Sequence, residues 1–176
     1  MKKASLHPQE EDRLNIIKSL DILDTKPEQR FDIITKNAID RLNVPISSIA
    51  IIDRYREWFK SKQGLNINES SRNDSFCGHA LLEKNLLVIE DTFNDLRFVD
   101  NPHVKSHAPI RFYVGVNLKH QTSGLPIGVF CIKDYKPRKL AEDELEIFLE
   151  LAKEAEYQLN KEKALHPRHL ILIARK

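Results

Sequence analysis

The stretch "IRFYVGVNL", residues 110–118, carries the clearest structural signal in the chain. From Arg111 to Leu118 the side chains alternate strictly. Phe112, Val114, Val116 and Leu118 take one face, and Arg111, Tyr113, Gly115 and Asn117 take the other. A two-residue period marks a strand with one face on a core. The second face offers a guanidinium, a phenol and bare backbone, a set suited to an anionic or carboxylate-bearing ligand. The competing reading is that Arg111 pairs with a loop acid such as Asp95 or Asp100.

Reading downstream, Gln121-Thr122-Ser123-Gly124 makes a turn, and Ile127 to Ile132 pairs back as the next strand. Cys131 falls mid-strand, the usual position of a core residue. A long last helix, 142–163, carries an apolar stripe at Leu145, Phe148, Leu149, Ala152, Ala155 and Leu159. Ile147 and Leu151 lie off that stripe. They are expected to form an exposed pair that packs on a symmetry mate, together with the first helix. The alternative is that both pack inside the monomer against Leu14, Ile17 or Leu20.

Upstream, residues 91–109 show no sustained period of either kind. A loop that long inside a compact domain is usually functional or disordered. Phe93, Leu96, Phe98 and Val104 supply apolar anchors, which favours an ordered loop. Asp91, Asp95 and Arg97 are expected to form an ion-pair network there. Asn101, held extended by the following Pro102, is expected to pin neighbouring backbone. Before the loop come a short strand, Leu86–Ile89, and a short helix from Phe76 to about Glu83, capped by Asp74 or Ser75. Ile46–Ile52 is a β-branched strand, Asp53–Arg56 a turn, and Trp58-Phe59 opens the return strand. Two helices precede them. The first covers 9–23, and the second ends near Leu42 with a capping box at Thr25 and Glu28. Strands gathered between terminal helices indicate an α+β fold with helices on one face of an antiparallel sheet.

Composition narrows the function. The 176 residues suffice for one domain with a real core. The 28 Lys+Arg and 26 Asp+Glu give a net charge of +2 and are interleaved along the chain, so no basic stripe points to nucleic acid. Apolar runs reach only about six residues, far below the roughly 20 that span a bilayer. The start Met1-Lys2-Lys3 is not followed by an apolar signal region. With two cysteines there is no disulfide scaffold, and the expectation is a cytoplasmic protein. No glycine-rich phosphate loop, Gly-x-Ser-x-Gly elbow or paired metal-ligand motif occurs, so neither catalysis nor a metal is expected.

The segments "LDILDTKPEQRFD", "IIDRYREWFKSKQGL", "SFCGHAL", "DLRFVDNPHV", "IRFYVGVNL" and "PIGVFCIKD", in this order and with Pro137-Arg138 before the last helix, resemble a GAF domain. The similarity is strongest to the bacterial signalling subgroup and covers about Pro8 to Leu159. The resemblance implies a central antiparallel sheet of about six strands with N- and C-terminal helices on one face and a ligand pocket under the long loop on the other. It implies a domain at 8–160, a disordered N-terminus at 1–7 and a C-terminal tail at 161–176. It also implies a role in sensing: binding an unidentified small molecule and forming a homodimer, with a signalling partner in trans or in a longer chain. No cofactor is specified.

The residues expected to face the ligand are Trp58, Phe76, Cys77, His79, Asn101, Arg111, Tyr113 and Cys131. Cys77 and His79 stand at a helix start, where the helix dipole favours thiolate. The plainer reading makes Cys77 a small buried residue and lets His79 bond a loop carbonyl. Val114 and Asn117 replace the Ala and Pro common in the subgroup. The residue set of cyclic-nucleotide-binding members is missing, and Gly78 separates the Cys77 and His79 that would adjoin in a bilin-attaching member. The alternative to a binding module is a thiol-dependent reductase of the free methionine sulfoxide type, with Cys77 and Cys131 as a redox pair.

Overall fold

The computed structural model describes residues 1–161. Two helices, α1 (Glu10–Ser19) and α2 (Gln29–Leu42), lead into strands β1 (Ile46–Ile52), β2 (Arg56–Gln63) and β3 (Glu69–Ser71). Helix α3 (Phe76–Ala80), strand β4 (Leu86–Ile89) and a single helical turn α4 (Pro102–Lys105) follow. The hairpin β5 (Phe112–Lys119) and β6 (Pro126–Asp134) then leads to α5 (Glu142–Asn160). The strands form one six-stranded sheet in the order β3-β2-β1-β6-β5-β4, and every neighbouring pair is antiparallel. The expected α+β architecture is therefore present.

Each sheet face carries its own core. On one face Phe112, Val114 and Leu118 of β5 and Phe130 and Ile132 of β6 pack against the apolar stripes of α2 and α5. Phe130 stacks on Phe148, with ring centroids 5.1 Å apart. On the other face Tyr113, Val129 and Cys131 meet α3 and the long loop, through Phe76, Cys77, Ala80, Phe98, Val104 and Ile110. The alternation in 112–118 sends Phe112, Val114, Val116 and Leu118 to the helix-side core and Tyr113 to the other.

Helix α1 sets Ile17 in the helix-side core and is also held by charge. Arg13 is fully buried; it donates to the carbonyl of Ile52 at 2.5 Å and to both oxygens of Glu10. Buried Arg72 donates to the same carboxylate and to the Asp53 carbonyl, so one acid ties α1 to the end of β1 and to the turn before α3. A carboxylate between two guanidiniums satisfies the charges that burial would otherwise penalise.

Several expectations are corrected. The capping box at Thr25 and Glu28 does not form. The Thr25 hydroxyl donates to the Ile22 carbonyl, α2 starts at Gln29, and Glu28 pairs with Lys60 and Arg30 instead. Leu151 is not exposed: it belongs to the helix-side core, and Ile147 packs partly against it. The reason is the width of the buried arc of α5, which meets both α2 and the sheet. Strand β3 was not foreseen, because three polar residues carry no period. Residues 1–7 form no helix or strand; Lys2 N donates to the Arg97 carbonyl, and the Lys2 carbonyl is bonded by His79 Nε2. Of the 161–176 tail, residues 162–176 lie outside the described residues.

Burial pushes the Glu10 carboxyl up, but hydrogen bonds from Arg13 and Arg72 outweigh it and bring its pKa down to about 2. A depressed carboxyl pKa contributes stability above the unfolded value near 4.5 and loses it as pH falls towards about 2. Glu10→Gln is expected to lower stability at pH 7 by about 3 kcal/mol, since it leaves two buried guanidiniums without their acid. It is also expected to flatten the fall in melting temperature between about pH 5 and pH 2, measured by circular dichroism.

Candidate functional site

The site lies on the sheet face opposite the terminal helices. Strand register sets a row of small residues across it: Ser48 of β1 stands opposite Cys131 of β6, which stands opposite Gly115 of β5. Tyr113, two residues before Gly115, lies back over this row. A Cβ at Gly115 would overlap the Tyr113 hydroxyl and come within 2.6 Å of its Cζ. Glycine is required here by the phenol, not by any turn. Phe76 stacks on Tyr113 at 5.2 Å and on Phe98 at 4.6 Å, which joins α3, β5 and the long loop in one aromatic layer.

Under that layer runs a buried polar chain. Tyr113 Oη donates to Cys77 Sγ at 3.4 Å, the two sulfurs lie 3.7 Å apart, and Cys131 Sγ is 3.2 Å from Ser48 Oγ. Both cysteines are free and fully buried. Donation to Cys131, together with burial, raises the Cys77 thiol well above its usual pKa. Burial also pushes Cys131 up, but donation by Cys77, the charge of Lys133 and the Ser48 contact outweigh it and bring it to about 7. The more acidic thiol is therefore Cys131, not the helix-start Cys77. A five-residue helix has too short a dipole to compete with a sulfur acceptor and complete burial.

Helix α3 is held in place from β2. Ser75 caps it, accepting from Gly78 N at 3.0 Å, and its own hydroxyl donates to Glu57. Ser70 donates to the other oxygen of this buried acid at 2.8 Å. The long loop has two further anchors. Asp95 takes a bidentate bond from Arg97, and Asn101 caps α4 through His103 N while donating to the Asp74 carbonyl. The expected loop network thus includes Asp95 and Arg97.

Of the eight residues expected to face a ligand, Phe76, Cys77, Tyr113 and Cys131 meet in this cluster. Asn101 and His79 border it; His79 meets the Phe98 ring edge-on at 4.8 Å. Burial lowers the His79 pKa. Two residues lie elsewhere. Trp58 pairs with Ile51 and joins the helix-side core, where it lines an open groove of about 780 Å³ with Asp24, Asp32 and Lys60. Arg111 stands ahead of β5 at the surface. It forms a bidentate pair with Asp91 at 2.8 and 2.9 Å and stacks on Phe93 at 3.8 Å, so its partner is a loop acid other than the two anticipated.

A cavity of about 170 Å³ opens beside the cluster, between β2, the β3 segment, β6 and the end of the long loop. Glu57, His103 and Lys133 are its ionisable lining, and Ile46, Phe59 and Ile110 are apolar. The sequence reading missed Glu57, Ser48 and Lys133. Period-two alternation would have found Lys133, since it shares a face with Cys131. Among the described residues, no three His, Cys, Asp or Glu side chains group as a metal site, and no helix is long and apolar enough to cross a membrane.

The family model of the GAF domain matches residues 26–159. A cyclic di-GMP phosphodiesterase of Pseudomonas aeruginosa is 36% identical over 133 residues, which cover 75% of this chain and 22% of that protein. The chain thus spans less than a quarter of that relative's length. Among solved structures, the GAF domain of an Acinetobacter phosphoenolpyruvate-protein phosphotransferase aligns with a TM-score of 0.61 at 15% identity, covering 88% of this chain and 94% of that one. A free methionine-R-sulfoxide reductase of Neisseria meningitidis aligns with a TM-score of 0.58 at 15% identity, covering 91% and 98%. At such identities these structures establish a shared fold.

The overlap at Gly115 gives a testable coupling. Gly115→Ala is expected to cost about 1–3 kcal/mol by overpacking. In a Tyr113→Leu background the same change is expected to cost less than half as much, measured by denaturant unfolding of all four proteins. Equal costs in both backgrounds would remove the phenol as the reason for the glycine.

Proposed function

The chain belongs to the GAF domain family, and we propose that it is a regulatory module of bacterial signal transduction that binds a small molecule without transforming it. The observation that carries this reading is the cavity under the long loop, on the sheet face away from the terminal helices, where ionisable groups end an otherwise apolar space. Small-molecule sites have this character: mostly apolar walls with a few placed polar groups. The similarity to a cyclic di-GMP phosphodiesterase over 22% of that protein supports a signalling context. Ligand contact with the loop or β6 would reach the helix-side core through the same strand, and a homodimer formed through α1 and α5 would carry the shift to a partner protein.

Native mass spectrometry of the full chain, incubated with a cytosolic small-molecule extract, is expected to show one bound small molecule per chain. A chain that takes up no mass from any extract fraction would overturn the reading. Light scattering at about 50 µM is expected to give the mass of a dimer, well above the concentration at which a functional dimer should form. A monomer there would remove the dimer from the proposal.

One geometric fact favours a second reading. The 3.7 Å Cys77–Cys131 separation and the acidic Cys131 thiol suit a thiol-dependent reductase, a fold relationship shared with the Neisseria enzyme. Oxidising both thiols to a disulfide would reduce a sulfoxide to a sulfide and release water. Against it stand the complete burial of both sulfurs and their place in a core filled by Phe76 and Tyr113. Steady-state assay with free methionine sulfoxide and dithiothreitol is expected to show no turnover above the Cys77→Ser and Cys131→Ser variants. Turnover lost in both variants would reverse the choice.

A further inference from the structure

Two lysines are buried in this domain, and they are treated differently. Lys60 is 3% exposed, and its ammonium has three partners: Thr25 Oγ1 at 2.6 Å, Glu28 Oε1 at 2.6 Å and the Lys26 carbonyl at 2.9 Å. Lys133 is 6% exposed; among the described residues its Nζ has no hydrogen-bond or ion-pair partner, and it is not one of the buried side-chain atoms left without one, so the ammonium tip opens into the cavity. Its nearest ring is Phe59, with the centroid 5.9 Å away, at the edge of cation–π range. A lysine stem buried in a core while its ammonium meets only a pocket is unusual, because proteins normally pair such a charge or replace it. Lys133 is neither paired nor replaced by an aliphatic side chain, although Ile132 and Cys131 precede it in a strand otherwise apolar from Pro126.

The fold directs this ammonium at the cavity. Lys133 stands in register between Ile46 of β1 and Tyr113 of β5. Tyr113 leans away over Gly115, so the space above Lys133 is left to the cavity that Lys133 lines with Glu57, Phe59 and His103. Glu57 accepts from Ser70 and Ser75, one hydroxyl on each oxygen, and forms no ion pair with Lys133. His103 is half-buried. Burial first, and then the nearby Lys133 charge, lower its pKa, so at neutral pH it presents a neutral ring with one N–H. The cavity therefore offers the Lys133 cation beside the hydroxyl-bonded Glu57 carboxyl, one neutral imidazole, and apolar walls from Ile46, Phe59, Leu65, Ile67 and Ile110.

We propose that this cavity is a binding site for a small monocarboxylate with a short apolar tail, its carboxylate held by Lys133 and its tail by the Ile46–Phe59–Ile110 wall. The proposal rests on the ligand-binding reading above and names the chemical class. A single ammonium flanked by the Glu57 carboxylate suits one negative charge and disfavours a dianion such as phosphate. Size sets the tail: 170 Å³ matches about six waters, hence a molecule of about six non-hydrogen atoms. His103 lines the same cavity and supplies an imidazole donor for the second carboxylate oxygen. Lys133 lies at the end of β6 and Tyr135 just beyond it, so occupancy would be felt where β6 leads towards α5.

Butyrate, a six-heavy-atom monocarboxylate, is the probe, titrated calorimetrically into the full chain at pH 8, with butyramide as its neutral isostere and inorganic phosphate as the dianion. Saturable binding of one butyrate per chain is expected. Butyramide and phosphate are expected to bind at least about tenfold more weakly, the scale of a lost charge-assisted hydrogen bond. Lys133→Met should weaken butyrate by at least about tenfold for the same reason. Ala108→Trp, at the exposed mouth of the cavity with Lys133 intact, should weaken it also and guards against a Lys133 variant that fails to fold. Equal affinity for butyramide or phosphate, unchanged binding in either folded variant, or no saturable butyrate binding would each overturn the proposal. A chain that retains a molecule from the extract but ignores butyrate leaves the ligand-binding reading standing without the carboxylate class. A chain that takes up neither removes both.

Discussion

The pocket side of this domain depends on the row of small side chains that register places across the middle of the sheet. Ser48, Cys131 and Gly115 lie side by side on three adjacent strands, so the sheet surface is shallow there. Tyr113 fills the depression, its hydroxyl reaches Cys77, and α3 is seated by that contact and by the Phe76 stack. A bulkier side chain at 115 would lift the phenol and with it the helix. Because the phenol bends towards Gly115, the neighbouring row is left open above Lys133. The closed cluster and the open cavity are thus two results of one packing constraint.

Around that constraint the charged groups divide by function. Where a charge ties elements together, it is fully satisfied: Arg13 and Arg72 share Glu10, Lys60 has three partners, and Arg97 forks onto Asp95. These pairs sit between segments that apolar area alone would leave loosely placed, namely the first helix, the edge beside β2 and the long loop. Burial of a paired charge contributes little net stability, but removal of one partner is expensive, so such pairs fix arrangement more than they strengthen it. Lys133 stands apart as a buried cation outside any such tie.

How much of this was legible in the sequence follows from the kind of signal each part leaves. Strands with period-two alternation, and the stripes of α2 and α5, were readable because burial imposes a period. The bounds of β1 and β4 agreed with the expectation to the residue, since β-branched runs end abruptly at polar turns. Trp58 was misplaced for a definite reason. The register of β2 shifts between Ile49 and Ala50 of its partner strand, and an aromatic in a strand of mixed character gives no sign of which face it takes. The Cys77–Cys131 approach joins residues 54 apart in sequence, and no local pattern reports such a pairing. Family resemblance offers it as an alternative, whereas the sequence points to a loop acid as the partner of Arg111 without singling out Asp91.

Strand β6 is where site and helices meet. Cys131 and Lys133 face the pocket side, while Phe130 and Ile132, between them in the chain, face the helix-side core. Phe130 stacks directly on Phe148 of α5. A displacement of β6 caused by an occupant at Lys133 would therefore reach α5 across one layer of side chains, without any intermediary element. The chain just beyond this same end of the strand supplies the second constraint. Arg138, four residues beyond Asp134, donates to the carbonyls of Leu42 and Asn43 at the end of α2 and pairs with Glu144 at the start of α5. That junction clamps both helices to the chain just after β6. Movement of the strand would thus be passed to two helices at once, which is the coupling a regulatory module built on terminal helices needs.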